Sequence, residues 1–428
     1  MKQLSLDRKE DGVDLLDKRI GSVLTTENIF KILNQFIIPL INKKERAFLE
    51  ELEEYLIEKV KPHVDLSKEV YELFPILGKV NLMQRLNPHD MRRVGFRYEM
   101  ILAMCLSIID PELDLARVVS GIIFSNPLFQ YGKQNPKIKK IFEEVITGKK
   151  IGCICITEKE RGSDAVRMQT TVEDKGEYLV INGEKIFTTN GPVADYFVVY
   201  GVGDPERPRE TMYQLIVERG MDGLETNRIN IPSVPRVQIG QTIFNNVKVP
   251  KDNVLGAAGD GYKNLFEGLV AERGAIIGSS LGISWLVAVS ALIYTNKREQ
   301  FGKPIYKFQG VSLPLTQLFV KLMAATELGF KSVSMYDKFF NDEKYYKRTD
   351  IIKFNAAFTA GTKYYTSNLA HEIAYECQQL VGGIGYTDNL PIDRALEVAK
   401  VQEIIGGSRN VQLLIVSRSI KDMIKRLK

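Results

Sequence analysis

Apolar residues recur at helical spacing through the first part of the chain. In residues 48–60, apolar positions such as Phe48, Leu52 and Leu56 lie among charged neighbours, which is typical of an amphipathic helix. A second, largely apolar segment ends at Asp110-Pro111. The pattern predicts an N-terminal helical domain over residues 1–150, whose highly charged first 25 residues form an arm or an extra helix.

The pattern changes at Ile151, where apolar residues begin to alternate with polar ones. Residues 178–181 and 185–189 flank Asn182-Gly183, a dipeptide that favours the positive backbone angles of a tight turn, so the sequence predicts a β-hairpin here. The middle of the chain, residues 151–256, is therefore predicted to be a β domain. Its other strand candidates are residues 196–200, 213–217 and 241–249.

Helical spacing returns after Gly261 and continues to the C-terminus. Four long helices joined by short polar loops favour an antiparallel bundle over residues 257–428. The helices are expected near residues 262–299, 310–340, 350–381 and 396–427. The predicted fold class is therefore mainly α with a central β domain.

One helical stretch, residues 275–294, carries no formal charge and is long enough to span a bilayer. It also contains Gly278, Gly282 and four serines, residue types that favour close contacts between helices over exposure to lipid. We therefore expect a buried helix and no membrane span.

Charge and cysteine content narrow the class of protein. Lys and Arg number 58 against 53 Asp and Glu, an excess of +5 spread over the chain, so nucleic acid is not expected as a partner. Four cysteines exclude a disulfide scaffold and fit a reducing compartment. Because no apolar signal segment is visible near the N-terminus, a cytoplasmic location is expected.

No metal site is expected either. The three histidines lie at unrelated positions in the sequence. Cys153 and Cys155 lie on the same face of a predicted strand, but no second pair of ligands completes a zinc site.

Five short blocks carry the most specific pattern in the chain. They are residues 157–164 (TEKERGSD), 181–191 (INGEKIFTTNG), 244–256 (FNNVKVP, then NVLG), 298–309 (REQFGKPI, then FQ) and 379–386 (QLVGGIGY). In this order they resemble signatures of the acyl-CoA dehydrogenase family, from about residue 126 to the C-terminus. The resemblance implies an N-terminal helical domain, a middle β-barrel and a C-terminal four-helix bundle.

The resemblance also implies FAD, held in a cleft between the β domain and the bundle. Thr157 and Ser163 match residues that contact the flavin, and Ser163 also matches a contact to the pantetheine arm of the substrate. Thr189 matches a hydroxyl near flavin N5, and Phe187 stands where the family usually has a tryptophan. The other positions implied to bind the cofactor are Ile154, Ile156, Arg298, Phe301, Gln309, Gln379, Gly383, Ser408 and Asn410.

Some of these contacts imply more than one subunit. Arg298 and Phe301, with Gln379 and Gly383, match residues that contact the FAD of a neighbouring subunit, so a homodimer or homotetramer is implied. On chemical grounds alone, a diphosphate needs a fixed cation and a close backbone approach, which Arg298 and Gly382-Gly383 can supply. Taken singly, the arginine is better explained as a solvated helix residue and the glycines as a helix stop, and it is the presence of all five blocks that favours the cofactor role.

The catalytic base is the main departure from the family pattern. Most members have a Glu-Gly-Thr motif late in the last helical region, where this chain has Gly406-Gly407-Ser408. A minority, including isovaleryl-CoA and long-chain enzymes, carry the glutamate on an earlier bundle helix before an arginine, and Glu272-Arg273 match that position. We assign Glu272 as the general base, and Arg273 as a residue that binds the pantetheine portion of the substrate or orients the carboxylate. Glu403 and Asp90 are the next candidates, and the alternative for Glu272 is a surface glutamate paired with a nearby cation.

The implied reaction is the α,β-dehydrogenation of an acyl-CoA thioester in fatty acid metabolism, with electrons leaving through an electron-transfer flavoprotein or a similar acceptor. A close alternative acts on an acyl chain attached to a carrier protein. A second alternative keeps the fold with another activity, as an oxidase, a monooxygenase or a damage-response flavoprotein. A third is a non-catalytic subunit that binds no flavin.

Overall fold

A computed structural model describes residues 14–85, 95–131, 134–341, 349–425 and 427. Within these residues the chain order is helices, then strands, then helices. The early helices are α1 (Lys18–Gly21), α2 (Thr26–Ile37), α3 (Lys43–Tyr55), α4 (Phe74–Gly78), α5 (Phe96–Ile109), α6 (Pro111–Val118), α7 (Ser125–Tyr131) and α8 (Pro136–Ile146). The later ones are α9 (Pro208–Thr211), α10 (Gly261–Lys297), α11 (Gln309–Asn341), α12 (Thr349–Val381), α13 (Ile392–Ile404) and α14 (Arg409–Lys425).

Local capping explains where the early helices begin. The helix predicted over residues 48–60 starts earlier, at Lys43, because Asn42 caps it and Glu45 completes a reciprocal capping box. It then continues as a π-helical turn, Leu56–Val60. Within the charged N-terminal segment, residues 18–21 form α1, and the Leu15 amide donates to Asn389 Oδ1 at 3.0 Å.

The middle of the chain forms one seven-stranded sheet. Its strands are β1 (Gly152–Cys155), β2 (Thr171–Asp174), β3 (Tyr178–Thr189), β4 (Tyr196–Val202), β5 (Met212–Glu218), β6 (Leu224–Ile229) and β7 (Ile239–Pro250). The order is β1-β4-β2-β3-β7-β6, with β5 also paired to β4. The pairing of β1 with β4 is parallel, and β3 pairs antiparallel with β7 along nearly its whole length. A two-stranded ladder of β8 (Glu299–Gln300) and β9 (Lys303–Pro304) follows α10.

The predicted hairpin at Asn182-Gly183 is wrong. Both residues lie inside the continuous strand β3, at a register shift between the Ile181–Val247 and Gly183–Phe244 pairs. The two flanks pair with the same strand, β7, and not with each other. The positive φ of Gly183, 147°, therefore serves a bulge and not a turn.

The long apolar helix is a core element. α10 contains an apolar stretch long enough to cross a membrane, but 89% of that stretch is buried inside the protein. Gly278 and Gly282 bring it close to α5, since a Cβ at either position would meet the carbonyl of Met100 or Met104 within 2.7 Å. Small residues thus permit close helix packing, as the sequence indicated.

The fourth predicted bundle helix, residues 396–427, is wrong as one element. It is two helices, α13 and α14, separated at residues 405–408. Gly406 and Gly407 have φ of 64° and 94°, which is the left-handed region that a right-handed helix cannot include. The break falls at Gly406-Gly407-Ser408, the residues that the resemblance aligns with the usual position of the base.

The described structure divides into two compact units. One contains residues 14–68, 85, 95–114 and 273–427, with gaps where the chain is not described, and the other contains residues 69–84 and 115–272. We refer to them as the bundle unit and the sheet unit. The predicted fold class, mainly α with a central β domain, is confirmed. The domain limits at residues 150 and 256 stay predictions.

Candidate functional site

A buried ion pair organises the end of β1 in the sheet unit. The Lys185 side chain is fully buried, and its Nζ donates to the Ile156 carbonyl at 3.0 Å and to Glu158 Oε1 at 2.9 Å. The Glu158 carboxylate also accepts from the Gln169 amide at 2.6 Å and from the Thr170 amide at 2.9 Å. Burial by itself opposes ionisation of Glu158. The Lys185 ammonium and these hydrogen bonds outweigh it and hold the pKa of the carboxyl below its ordinary value.

This pairing brings several predicted residues together. The Ile186 amide donates to the Thr157 carbonyl at 2.8 Å, so Thr157 lies beside the segment that carries Phe187. Thr189 ends β3, paired with Ile239 of β7. Ile154, Ile156, Thr157, Phe187 and Thr189 therefore lie on adjoining strand ends, whereas Ser163 is exposed on the loop after Glu158.

Phe187 has an unusual backbone and an exposed ring. Its φ is 57°, it lies at a register shift between Lys185 and Thr188, and its side chain is 58% exposed. A bulge at a strand end redirects a side chain away from the alternating pattern. A bulky residue in this backbone region costs about 1–3 kcal/mol, and such strain is concentrated at functional sites. The strand thus presents an exposed aromatic ring at its end.

Glu272 and Arg273 are buried on α10, with 8% and 4% of their surfaces exposed. Arg273 Nε donates to the Gly406 carbonyl at 3.2 Å. The arginine predicted to bind substrate or to orient the carboxylate thus also contacts the turn that stands at the usual base position. A carboxylate at Glu272 is adjacent in sequence to a cation that is fixed in place.

Of the alternative bases, Glu403 lies in the described structure. It is buried, and its carboxylate pairs with Lys400 Nζ at 2.9 Å and lies 3.7 Å from His371 Nδ1. Asp90 lies outside the described residues.

The predicted residues of the bundle unit fall in three places. Arg298 and Phe301 are exposed on the segment that joins α10 to α11, and Phe301 is 92% exposed with φ of 51°. Gln309 is exposed at the first position of α11. Gln379 and Gly383 are exposed near the end of α12. Half-buried Ser408 and exposed Asn410 lie at the start of α14.

The candidate residues of each unit have the chemistry that one part of a flavin dinucleotide requires. In the sheet unit, hydroxyls and an exposed ring lie on neighbouring strand ends, which suits a planar polar ring system. In the bundle unit, the exposed Arg298 is a cation for a diphosphate. Gly382 has φ of 74°, and a Cβ there would meet nothing within 4 Å, so its backbone is open to close approach.

The sequence interpretation missed three buried polar side chains, Lys185, Lys363 and Gln412, each with less than 1% of its surface exposed. The signal was present for Lys363, because it lies at helical spacing from the buried Ala360, Ser367 and Ala370. A lysine on the buried face of a helix or strand requires acceptors nearby. Within the described residues, no group of three His, Cys, Asp or Glu side chains is arranged to hold a metal ion.

The sequence is similar to several proteins of known activity. The short-chain specific acyl-CoA dehydrogenase of Megasphaera elsdenii is 30% identical over 299 residues, covering 69% of this chain and 74% of that protein. The mitochondrial isovaleryl-CoA dehydrogenase of Oryza sativa subsp. japonica is 27% identical over 391 residues, covering 89% and 92%. Subunit CarC of the caffeyl-CoA reductase-Etf complex of Acetobacterium woodii is 30% identical over 294 residues, covering 68% and 73%.

Solved structures share the fold. Butyryl-CoA dehydrogenase from Megasphaera elsdenii matches with a TM-score of 0.79 at 24% identity, covering 89% of this chain and 98% of that one. PigA, solved with FAD and proline, matches with a TM-score of 0.81 at 21% identity and the same coverage. The middle-domain model of acyl-CoA dehydrogenases matches residues 153–247, and the C-terminal-domain model matches residues 259–421. Because the two models together cover more than half of its length, the chain belongs to the acyl-CoA dehydrogenase family of oxidoreductases.

Proposed function

We propose that the protein is an FAD-dependent acyl-CoA dehydrogenase with Glu272 as its catalytic base. The observation that carries the proposal is the burial of Glu272 on α10, next to an arginine bonded to Gly406, where the usual glutamate is absent. The similarity to isovaleryl-CoA dehydrogenase supports the same assignment. The product is the 2,3-enoyl thioester.

The chemistry divides between the chain and its cofactor. Glu272 takes the proton from Cα of the thioester, and a positioned base of this kind contributes about 10²- to 10⁴-fold in rate. When bound, FAD accepts the hydride that leaves Cβ. One proton and one hydride thus leave the acyl chain, and a Cα–Cβ double bond forms. Burial of Glu272 excludes water from the carboxylate, which favours proton transfer from the substrate.

The remaining site residues hold the cofactor. In this proposal Thr157, Phe187 and Thr189 bind the flavin, because they are exposed or half-buried on adjoining strand ends. Arg298 and Gln379 bind the diphosphate and adenosine portion from a second subunit, together with Phe301, Gly383, Ser408 and Asn410.

Self-association follows from the same assignment. α11 and α14 carry exposed apolar side chains at helical spacing, which a second copy of the chain would cover. They are Leu313, Val320 and Met323 on α11, and Leu413, Leu414, Ile420 and Ile424 on α14. We propose a homodimer or homotetramer, which sedimentation equilibrium tests. We also propose an electron-transfer flavoprotein as acceptor, since the similar CarC is a subunit of an Etf complex.

Anaerobic reduction tests the reaction class. The purified flavoprotein is mixed without oxygen with short, branched, aromatic and long acyl-CoA thioesters, and flavin absorbance is followed. We expect at least one thioester to bleach the flavin and to yield the 2,3-enoyl product. If none does, while the same acyl chains bleach it when attached to a carrier protein, the carrier-protein alternative replaces this one. If the purified protein contains no flavin and binds none, the proposal is wrong.

A further inference from the structure

The turn between α13 and α14 is held from inside the bundle unit by three buried side chains. Lys363 Nζ, on α12, donates to the Glu403 and Gly407 carbonyls, each at 3.1 Å. Gln412 Nε2 donates to the Gly406 carbonyl at 2.9 Å and the Gly407 carbonyl at 2.7 Å. Arg273 Nε completes the set on Gly406. We call these three side chains, Lys363, Gln412 and Arg273, the turn anchor.

Of the three side chains in the turn anchor, Lys363 depends most on its hydrogen bonds. None of its surface is exposed, and burying an ammonium is unfavourable unless acceptors replace its water. The two carbonyls supply this replacement. Removing the ammonium leaves both carbonyls without this donor, and such a loss costs more than the net value of a hydrogen bond.

The anchor acts on residues that the proposed function assigns to the cofactor. Ser408 follows Gly407 directly, and α14, which carries Asn410, begins at Arg409. The turn lacks regular helical bonds, because Gly406 and Gly407 have left-handed backbones. Its position is therefore determined by donors outside it, and Lys363 bonds both to the last turn of α13, at Glu403, and to the turn itself, at Gly407.

We propose that Lys363 is a positioning residue for the cofactor. Its ammonium fixes the turn, and the turn fixes Ser408 and Asn410 at the start of α14. The inference rests on the proposed function in one respect, namely that Ser408 and Asn410 contact FAD. It is not a catalytic role, since Lys363 contacts the turn and not the reacting atoms.

Two measurements on Lys363→Met test this. Amide hydrogen exchange of residues 404–412 is measured on the FAD-free protein, and the dissociation constant for FAD is measured by fluorescence quenching. Thr366→Val is the matched control, because Thr366 is equally buried on the same helix and its hydroxyl donates within α12, to the Thr362 carbonyl at 3.0 Å. We expect exchange in residues 404–412 to rise, and FAD binding to weaken, each by about tenfold or more in Lys363→Met and not in Thr366→Val.

The outcomes separate this inference from the proposed function. Faster exchange confined to the turn, with weaker FAD binding, supports the inference. Unchanged exchange, exchange raised throughout the protein, or unchanged FAD affinity overturns it. If Lys363→Met does not fold, Gln412→Met is measured by the same criteria. If the wild-type protein binds no FAD, the proposed function fails, and with it the role of the anchor toward the cofactor, whatever the exchange data show about the turn.

Discussion

At the residue scale, the candidate residues of each unit combine a strained backbone with buried ionisable side chains. Phe187 and Phe301 both have positive φ, and both rings are mostly exposed. Lys185, Lys363 and Glu272 are charged groups with 8% or less of their surfaces exposed. Strain and buried charge both cost stability, and we infer that the function of the site explains why they are retained.

Substitution of Phe187 separates backbone strain from ring contact. Phe187→Gly relieves the left-handed backbone, whereas Phe187→Ala keeps it, so the glycine variant should be more stable than the alanine variant by about 1 kcal/mol. Both variants should bind FAD more weakly than the wild type, because both lack the ring. Urea unfolding of the FAD-free proteins and fluorescence titration with FAD measure the two effects. Equal stability of the two variants would show that the backbone at Phe187 is not strained.

At the element scale, the apolar pattern predicted most helices and strands, and the predictions failed at two glycine-containing dipeptides. The apolar pattern alone predicted α5, the strands at residues 196–202 and 212–218 and three of the long bundle helices within a few residues. Asn182-Gly183 indicated a turn, but both flanking segments pair with β7, a long-range partner that no local pattern reveals. Gly406-Gly407 interrupts a continuous helical pattern, because the donors that hold its carbonyls come from distant positions such as Lys363.

The sequence suggested candidate site residues but not the buried side chains beneath them. The residues on the strand ends were assigned through their resemblance to family motifs, and their roles stay predictions. Lys185, Lys363 and Gln412 were not, since their importance depends on acceptors that only the folded chain brings near. A lysine among apolar residues at helical or strand spacing is the signal that would have found two of them.

Two glycine substitutions should have opposite effects on stability. Gly407→Ala places a Cβ 2.9 Å from Gln412 Nε2 at a φ of 94°, and we expect it to destabilise the protein by about 1–2 kcal/mol. Gly361→Ala lies within α12, where the added Cβ meets only Val416 Cγ2, at 3.4 Å. We expect it to stabilise the protein by about 0.5–1 kcal/mol. Thermal unfolding measures both, and a Gly407→Ala variant as stable as the wild type would contradict the described turn.

At the scale of the whole molecule, two buried carboxyls link stability to pH. Burial raises the pKa of Asp337 to about 7 and that of Glu53 to about 7. Asp337 accepts from the Phe96 amide at 2.8 Å and from the Arg97 amide at 3.1 Å, at the start of α5. Both groups lie in the bundle unit, so their titration bears on the helices of that unit.

Stability should fall as pH rises from about 5 to about 7. An unfolded chain ionises these carboxyls near their ordinary values of 3.8 and 4.5, so in this range the folded state binds more protons than the unfolded one. The slope approaches about 1.4 kcal/mol per pH unit for each group. Urea unfolding at pH 5, 6, 7 and 8 tests this, with Asp337→Asn expected to flatten the profile. A wild-type free energy of unfolding that rises over this range would contradict the assignment.

The rate of anaerobic flavin reduction in Glu272→Gln tests the central claim most directly. With the best thioester substrate, we predict a rate constant about 10²- to 10⁴-fold below wild type, with FAD affinity unchanged. Glu267→Gln is the control, because this half-buried glutamate lies on the same helix and burial likewise raises its pKa. Its reduction rate should match wild type. Reduction by Glu272→Gln at the wild-type rate would contradict the account and remove Glu272 from the reaction.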